Sequence, residues 1–492
     1  MRKIKNLKFA LFFLIIIALF PSCRKDGRKT GELRYGFTSE PSTLDPLSPA
    51  NTADGRSILF NVFEGLVKPD TSGIMKSCIA ETLKIEENNR VYIFTLREGV
   101  RFHDGSELSS ADVKFSLDTA IAAGFTGLDR IENVSVTGKN QVKVTLKKPD
   151  PDFLPYMTIG IVKADNTDRE KNITGTGPFY IESYMIQQNL VLKKFDDYWQ
   201  KGMPHLKKVT IVFFANNDAL MVALRGGGID GASITGPMAA LLDHRKTNIF
   251  NSHSAAVQLL ALNNKVPPLD DVRVRRALNY GIDVQDIIDT AFFGVGAPSG
   301  SPVIPGLTAY YENSLEYPYD PDTAISMLPQ NGFELEITVP SNYSMHVDTA
   351  QVIANQLSKV GVAVKIKQVD WAAWLSDVYF GRNYMATIIS LDSPIVSPRS
   401  FLSRYYSTSG SNFINFSNSN FDKIYDSILA ETDEAKRVKL YRDAQRAVTE
   451  NAASVYIQDI LYYKALNKSF DGVLEYPLYA VDFASIYEKE KN

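Results

Sequence analysis

Residues 91–116, VYIFTLREGVRFHDGSELSSADVKFS, leave the chain little freedom. Val91–Leu96 is a continuous run of apolar, aromatic and β-branched side chains, the composition of a strand buried on both faces. Arg97-Glu98-Gly99 turns the chain, and Val100-Arg101-Phe102 alternates as a short strand. Asp104-Gly105 is a tight-turn pair, because glycine tolerates the positive φ such turns need. Ser109 stands three residues before Asp112, so its hydroxyl can cap a backbone amide while the carboxylate reaches back. Val113, Leu117, Ala120 and Ile121 then share one face at helical spacing up to Gly124.

The rest of the chain supplies the layers against which this unit packs. Leu33–Phe37 reads as a first strand running into the two-proline loop EPSTLDP, residues 40–46, which cannot enter a sheet interior. Ile58–Leu66 suggests a helix closed by Gly65. Val134–Thr137 and Val142–Leu146 form a hairpin across Gly138-Lys139-Asn140. GTGPF at 175–179 lacks the lysine and following helix of a phosphate loop, so it and Gly226-Gly227-Gly228 are turns. Leu260–Asn264 is a buried strand with a polar end, and Leu269–Gly281 a helix capped by Asp270 or Asp271. Arg273, Arg275 and Arg276 on that helix read as a solvated face rather than an anion site. Beyond it, Leu335–Val339, Ala350–Val360 and Val362–Val369 alternate strand, helix and strand, which implies a parallel α/β lobe. Ile457–Leu466 carries the chain back toward its start.

The first residues are an address rather than fold. Arg2, Lys3, Lys5 and Lys8 precede the apolar run Phe9–Phe20, which is too short to span a bilayer of about 30 Å comfortably. This is the pattern of a secretory signal, residues 1–22. Phe20-Pro21-Ser22-Cys23 resembles a lipobox, in which Cys23 becomes the lipidated first residue, although Phe20 and Pro21 depart from the common wording. Residues 23–32 then form a polar tether. With Cys23 acylated, Cys78 has no disulfide partner. Removing the four signal-region bases moves the formal charge from -3 to -7, which disfavours nucleic acid or an anionic membrane as partner.

LREGVRFHDG followed by SSADVKFS closely resembles the signature of extracytoplasmic solute-binding proteins of the oligopeptide, dipeptide and nickel type, the receptors of ABC importers. EPSTLDP, FEGL at 63–66 and the block LNN…DVRVRRALNYGID, residues 262–283, are similar to the same family in register. The resemblance runs from about residue 32 to 486. It implies an α/β, two-lobed periplasmic-binding-protein fold of type II, with mixed sheets flanked by helices and a hinged cleft. Lobe I is expected at 33–263, with an extra subdomain inserted at about 67–173. Lobe II is expected at 264–465 and a return to lobe I at 466–492, with crossings near Asn263 and Leu466. The implied function is capture of oligopeptides or dipeptides between the lobes by a lipid-anchored monomer on the periplasmic face or cell surface, and delivery to ABC permease and ATPase subunits. A nickel chelate, sugar or other small solute is the alternative ligand; a surface hydrolase or chaperone-like protein is the remote one.

No catalytic constellation supports an enzyme. The five histidines fall in neither HExxH nor any metal spacing, and there is no G-x-S-x-G or C-x-x-C. No cofactor is expected. His346 reads as a helix-start or surface residue. The informative stretch is 385–402, MATIISLDSPIVSPRSFL. In peptide-binding relatives the corresponding loop carries an aspartate that neutralises the peptide α-ammonium, a charge that must be paired once desolvated. Here Pro394 stands at that position and Ser397 at a later aspartate; either the loop reshapes so that Asp392, two residues early, substitutes beside backbone pairing, or the ligand lacks a free amine there. The expected ligand-binding set is Glu40, Asn263, Ile389, Ser390, Leu391, Asp392 and Ser393.

Overall fold

The protein is described from a computed structural model covering residues 30–490 apart from 49–51, 126, 313–316, 394 and 396. The signal segment, Cys23 and most of the tether lie outside the described residues.

Two long strands organise everything else. Thr247–Leu262 and Ser454–Asn467 lie antiparallel at the middle of an 11-stranded mixed sheet. Their outer halves serve different neighbourhoods. Ala256–Leu262 pairs on its other side with Ala386–Asp392, which continues to the parallel strands Phe333–Pro340 and Val362–Val369. Tyr463–Leu466 pairs instead with Gly231–Ile234, which leads to Glu32–Phe37, Lys208–Phe213 and a meander ending at Phe179–Met185. Register shifts at His253/Val257 and Gln258/Leu259 break the ladder between the two neighbourhoods. The strand at 386–392 runs antiparallel to Thr247–Leu262, so this part of the sheet is mixed rather than purely parallel.

The stretch at 91–116 sits in a separate four-stranded sheet, Ala80–Glu86, Val91–Leu96, Gln141–Leu146 and Ile131–Gly138. Tyr92, Phe94 and Leu96 are buried in one large core with Leu33, Tyr35 and Phe37 of the main sheet. The helix Ser110–Ala122 buries Val113, Leu117 and Ala120 on it. Asp112 ties this helix down. Its Oδ2 accepts the Ser109 N–H at 2.8 Å, and its Oδ1 accepts the Ala164 N–H at 2.8 Å. Asp112→Ala removes both acceptors and is expected to lower unfolding free energy by about 1.5 kcal/mol, read as a shift in the urea midpoint.

Several local expectations need correction. Val100–Phe102 is no strand: a single bridge joins Arg101 to Glu107, and Phe102 instead enters the core. The helix near Ile58 spans Ala53–Leu59 and ends well before Gly65. Gly65 is required for a different reason, since a Cβ there would lie 2.6 Å from the Thr158 carbonyl carbon. Asp271, not Asp270, caps the helix Val272–Gly281. Arg275 on that helix is not solvated: it is 6 % exposed, and its neighbours Arg273 and Arg276 carry the outer face.

Candidate functional site

A cavity of about 1030 Å³ opens where these neighbourhoods meet. Asp54, Phe60, Phe63, Glu64, Lys68 and Tyr479 represent one set of lining residues; Tyr343, Met345, His346, Trp371, Ser390 and Asp392 represent the other. Ile460 and Tyr462, on one of the two long strands, line it as well.

The first set presents acids that are already engaged. Asp54 lies in the first turn of Ala53–Leu59 and accepts from Ser39 Oγ at 2.6 Å and Tyr479 Oη at 2.6 Å. Glu64 accepts from Tyr198 Oη at 2.7 Å, Trp199 Nε1 at 2.9 Å and Thr176 Oγ1 at 3.2 Å. Burial pushes the Glu64 carboxyl up, and the three donors oppose that rise. Asp482 accepts from Tyr476 Oη at 2.9 Å. Arg56 and Lys68 add the cations of this set.

The second set is built on the end of a strand and the start of a helix. Ala386–Asp392 alternates its faces. Ser390 faces the cavity with a buried hydroxyl that has no partner among the described residues. Asp392 ends the strand and is exposed to the cavity; its carboxylate accepts no hydrogen bond from a described residue, whereas its backbone carbonyl accepts Arg404 Nη2 at 2.6 Å. Burial pushes the Arg404 guanidinium pKa down, and the neighbouring Asp392 charge counters it. Tyr343 meets Trp371 edge-on at 5.6 Å, and Trp371 stacks on Trp374 at 5.1 Å, giving this side an aromatic wall.

His346 is legible from sequence only as a helix start. It does lie in the first turn of Ser344–Ser358, but it is 2 % exposed and lines the cavity. Its tautomer follows from its neighbours. Thr349 Oγ1 spends its proton on the Met345 carbonyl at 2.7 Å, so it must accept from Gln258 Nε2 at 3.1 Å. That fixes the Gln258 amide, whose Oε1 accepts Gln458 Nε2 at 2.8 Å and whose Nε2 also donates to His346 Nδ1 at 3.0 Å. The ring is therefore neutral with hydrogen on Nε2, in keeping with a pKa pushed down to about 4 by burial. Nε2–H has no partner among the described residues and is left as a neutral donor to the cavity.

Of the residues expected from sequence, Ile389, Ser390, Asp392 and Ser393 come together on the cavity wall. Leu391 faces the opposite way, against Val257, Leu259 and Tyr405. Glu40 is absent from the wall, its carboxylate taken by Tyr184 Oη at 2.9 Å and by the Gln187 N–H. Asn263 is 1 % exposed and structural: Nδ2 donates to the Tyr384 carbonyl at 2.9 Å, and Oδ1 accepts Asn415 Nδ2 at 2.9 Å. Among the described residues no group of histidine, cysteine, aspartate and glutamate is placed to hold a metal.

Residues 75–413 match the family described as Bacterial extracellular solute-binding proteins, family 5 Middle. The chain belongs to this family. Among family 5 relatives, it is similar to the Glutathione-binding protein GsiB of Escherichia coli (strain K12), with 27% identity over 471 residues, 89% of this chain and 90% of that one. HbpA2 from Haemophilus parasuis shares the fold with a TM-score of 0.85 at 22% identity, over 93% of this chain and 100% of that one. AgaA from A. tumefaciens R10, solved in complex with agropinic acid, gives a TM-score of 0.71 at 27% identity, over 94% and 99%. The architecture is thus the two-lobed binding-protein fold of family 5, with mixed sheets flanked by helices. Family 5 proteins are solute receptors of ABC importers rather than enzymes, which places the chain outside the cytoplasm.

Proposed function

We propose that this chain captures oligopeptides or dipeptides between two lobes and hands them to the permease and ATPase subunits of an ABC importer. In this reading lobe I comprises 33–263 with its subdomain at about 67–173, lobe II comprises 264–465, and 466–492 returns to lobe I. The two long strands, running side by side between the two sets of cavity residues, support that division. A signal segment at 1–22 and acylation of Cys23 would hold the monomer to a membrane surface.

One observation carries the ligand class. Asp54, Glu64 and Asp482 are satisfied by protein donors, whereas the Asp392 carboxylate faces the cavity with Arg404 as a charged neighbour and accepts no hydrogen bond from a described residue. A peptide α-ammonium buried there needs such a partner. Arg56 and Lys68 suit the peptide's carboxylates, and Ser390 and His346 Nε2–H suit its main chain. Asp392→Ala is expected to weaken a free-amine tripeptide at least about tenfold by calorimetry, while an N-acetylated tripeptide is already weak and insensitive to the change. Equal affinity of the wild type and Asp392→Ala for the free-amine peptide removes Asp392 from this role.

The second reading, a small non-peptide solute, draws support from the agropinic acid complex of AgaA and from the nickel–histidine complex of NikZ from Campylobacter jejuni. Native mass spectrometry of the purified chain separates the two by the mass that co-purifies. A receptor releases that molecule unchanged; chemical conversion of it would sink both readings.

A further inference from the structure

Three consecutive acceptors follow the four-stranded sheet: the Asp150 carboxylate, the Pro151 carbonyl and the Asp152 carboxylate. Each is engaged by a side chain 245 to 286 residues away along the chain. Arg399 pairs with Asp150, whose other oxygen takes Arg130 Nη1 at 2.8 Å. Arg437 Nη1 donates to the Pro151 carbonyl at 2.9 Å, and Ser397 Oγ donates to Asp152. Asp150 is 5 % exposed and Asp152 8 % exposed, so these carboxylates depend on the donors they receive.

Both partners in this contact adjoin the cavity. Pro155, Thr158 and Gly160 line it a few residues after the acidic segment, and Asp392, Ser393 and Ile395 line it just before Ser397. The described residues between Asp392 and Leu402 form a segment that straddles two cores: Ile395 packs on the core of Tyr35 and Phe63, while Phe401 and Leu402 enter that of Tyr405 and Tyr441. It is gripped at one end by Arg404 on the Asp392 carbonyl and at the other by Asp150 and Asp152 on Arg399 and Ser397.

We propose that Asp150-Pro151-Asp152 is a positioning hook that seats the loop carrying Asp392 and Ser393, and so fixes the ligand-facing carboxylate from the other set of cavity-lining segments. Asp152 and Ser397 touch no ligand; they act through the loop. The inference rests on the peptide reading above only in its binding arm.

Two measurements test it on the full mature chain. In the absence of ligand, hydrogen exchange followed by mass spectrometry is compared between wild type, Ser397→Ala and Asp152→Asn. Exchange across 386–402 is expected to quicken at least tenfold while 333–340 keeps its wild-type rate. An unchanged rate at 386–402 overturns the hook, and equal acceleration in both segments reduces it to general stability. In the binding arm, calorimetry with a free-amine tripeptide is run on Ser397→Ala, Asp392→Ala and the double variant. Ser397→Ala is expected to lose about tenfold, Ser397→Thr to restore affinity within twofold, and the double variant to bind no worse than Asp392→Ala alone. Additive losses overturn the proposal. A wild-type chain that binds no peptide refutes the ligand class, and the exchange rates at 386–402 then decide the hook by themselves.

Discussion

Arg275→Met is expected to lower unfolding free energy by about 4 kcal/mol, because it strips donors from four backbone carbonyls at once. The guanidinium donates to the carbonyls of Leu269 at 2.8 Å, Asp270 at 3.3 Å, Asn451 at 2.9 Å and Ala452 at 3.1 Å. These belong to the two turns that deliver the chain into the helix Val272–Gly281 and into the long strand Ser454–Asn467. Burial pulls the Arg275 pKa down to about 10, which leaves it charged at neutral pH. Methionine fills similar volume but offers no hydrogen, so each carbonyl must find water or stay unpaired. Arg275→Lys keeps the charge but replaces a planar fork with a point donor, and should lose roughly half as much. Urea denaturation measures both. A methionine variant within about 1 kcal/mol of wild type would mean that water reaches these turns and that the guanidinium is not their strut.

This residue also marks the limit of sequence reading. Three arginines within four positions resemble a solvated helix face, and nothing local distinguishes Arg275 from Arg273 or Arg276. Its partners at 451 and 452 are supplied by a turn that only the folded chain brings near. Where the determining partners are local, the reading succeeds. The Asp112 reach-back and the hairpin across 138–140 depend on residues a few positions apart, and both form. Asp392 and Ser390 reach the cavity wall from a stretch that stands out in the sequence by the loop's departure from its relatives. Leu391 packs away from the cavity against Val257 and Tyr405, whereas Ile389, on the same side of the strand, still reaches the wall. Glu40 and Asn263 lie at suggestive chain positions, yet Tyr184 and Asn415, both remote, claim them. His346 gains weight only once Gln258 and Thr349 are known to surround it. The acidic hook at 150–152 is invisible to pattern for the same reason: its meaning lies in Ser397, Arg399 and Arg437.

Buried His346 and half-buried His103 should make the chain lose stability as pH falls from about 6.5 to about 4, by about 3 kcal/mol for His346 and somewhat less for His103. Burial pushes both pKa values down to about 4, from 6.5. The geometry gives the reason. His103 Nδ1 accepts the Gly175 N–H at 3.2 Å while its Nε2 meets the Gly177 carbonyl at 3.0 Å, and His346 Nδ1 accepts from Gln258 at 3.0 Å. A proton added at either Nδ1 would point at a hydrogen already there. The folded pKa values lie below the unfolded one, so above about pH 6.5 both states are neutral and the stability is fully present. Between the two values the unfolded chain binds more protons, and stability drains away as pH falls; below about pH 4 these two residues contribute nothing further. Asp104, whose carboxyl its hydrogen bonds to Lys163 and Ser106 hold down at about 2, acts in a separate and more acidic window. Glu64 and Asp152, pushed up by burial, work in the opposite sense because the folded chain takes their proton first. The histidine contribution is therefore the difference between wild type and a His346→Gln, His103→Asn double variant across urea titrations at pH 7, 6, 5 and 4. That difference should shrink as pH falls, the variant's stability declining less steeply than wild type. Parallel curves would show that neither imidazole is held neutral by the fold, and with that the Nε2–H donor assigned to the cavity would go too.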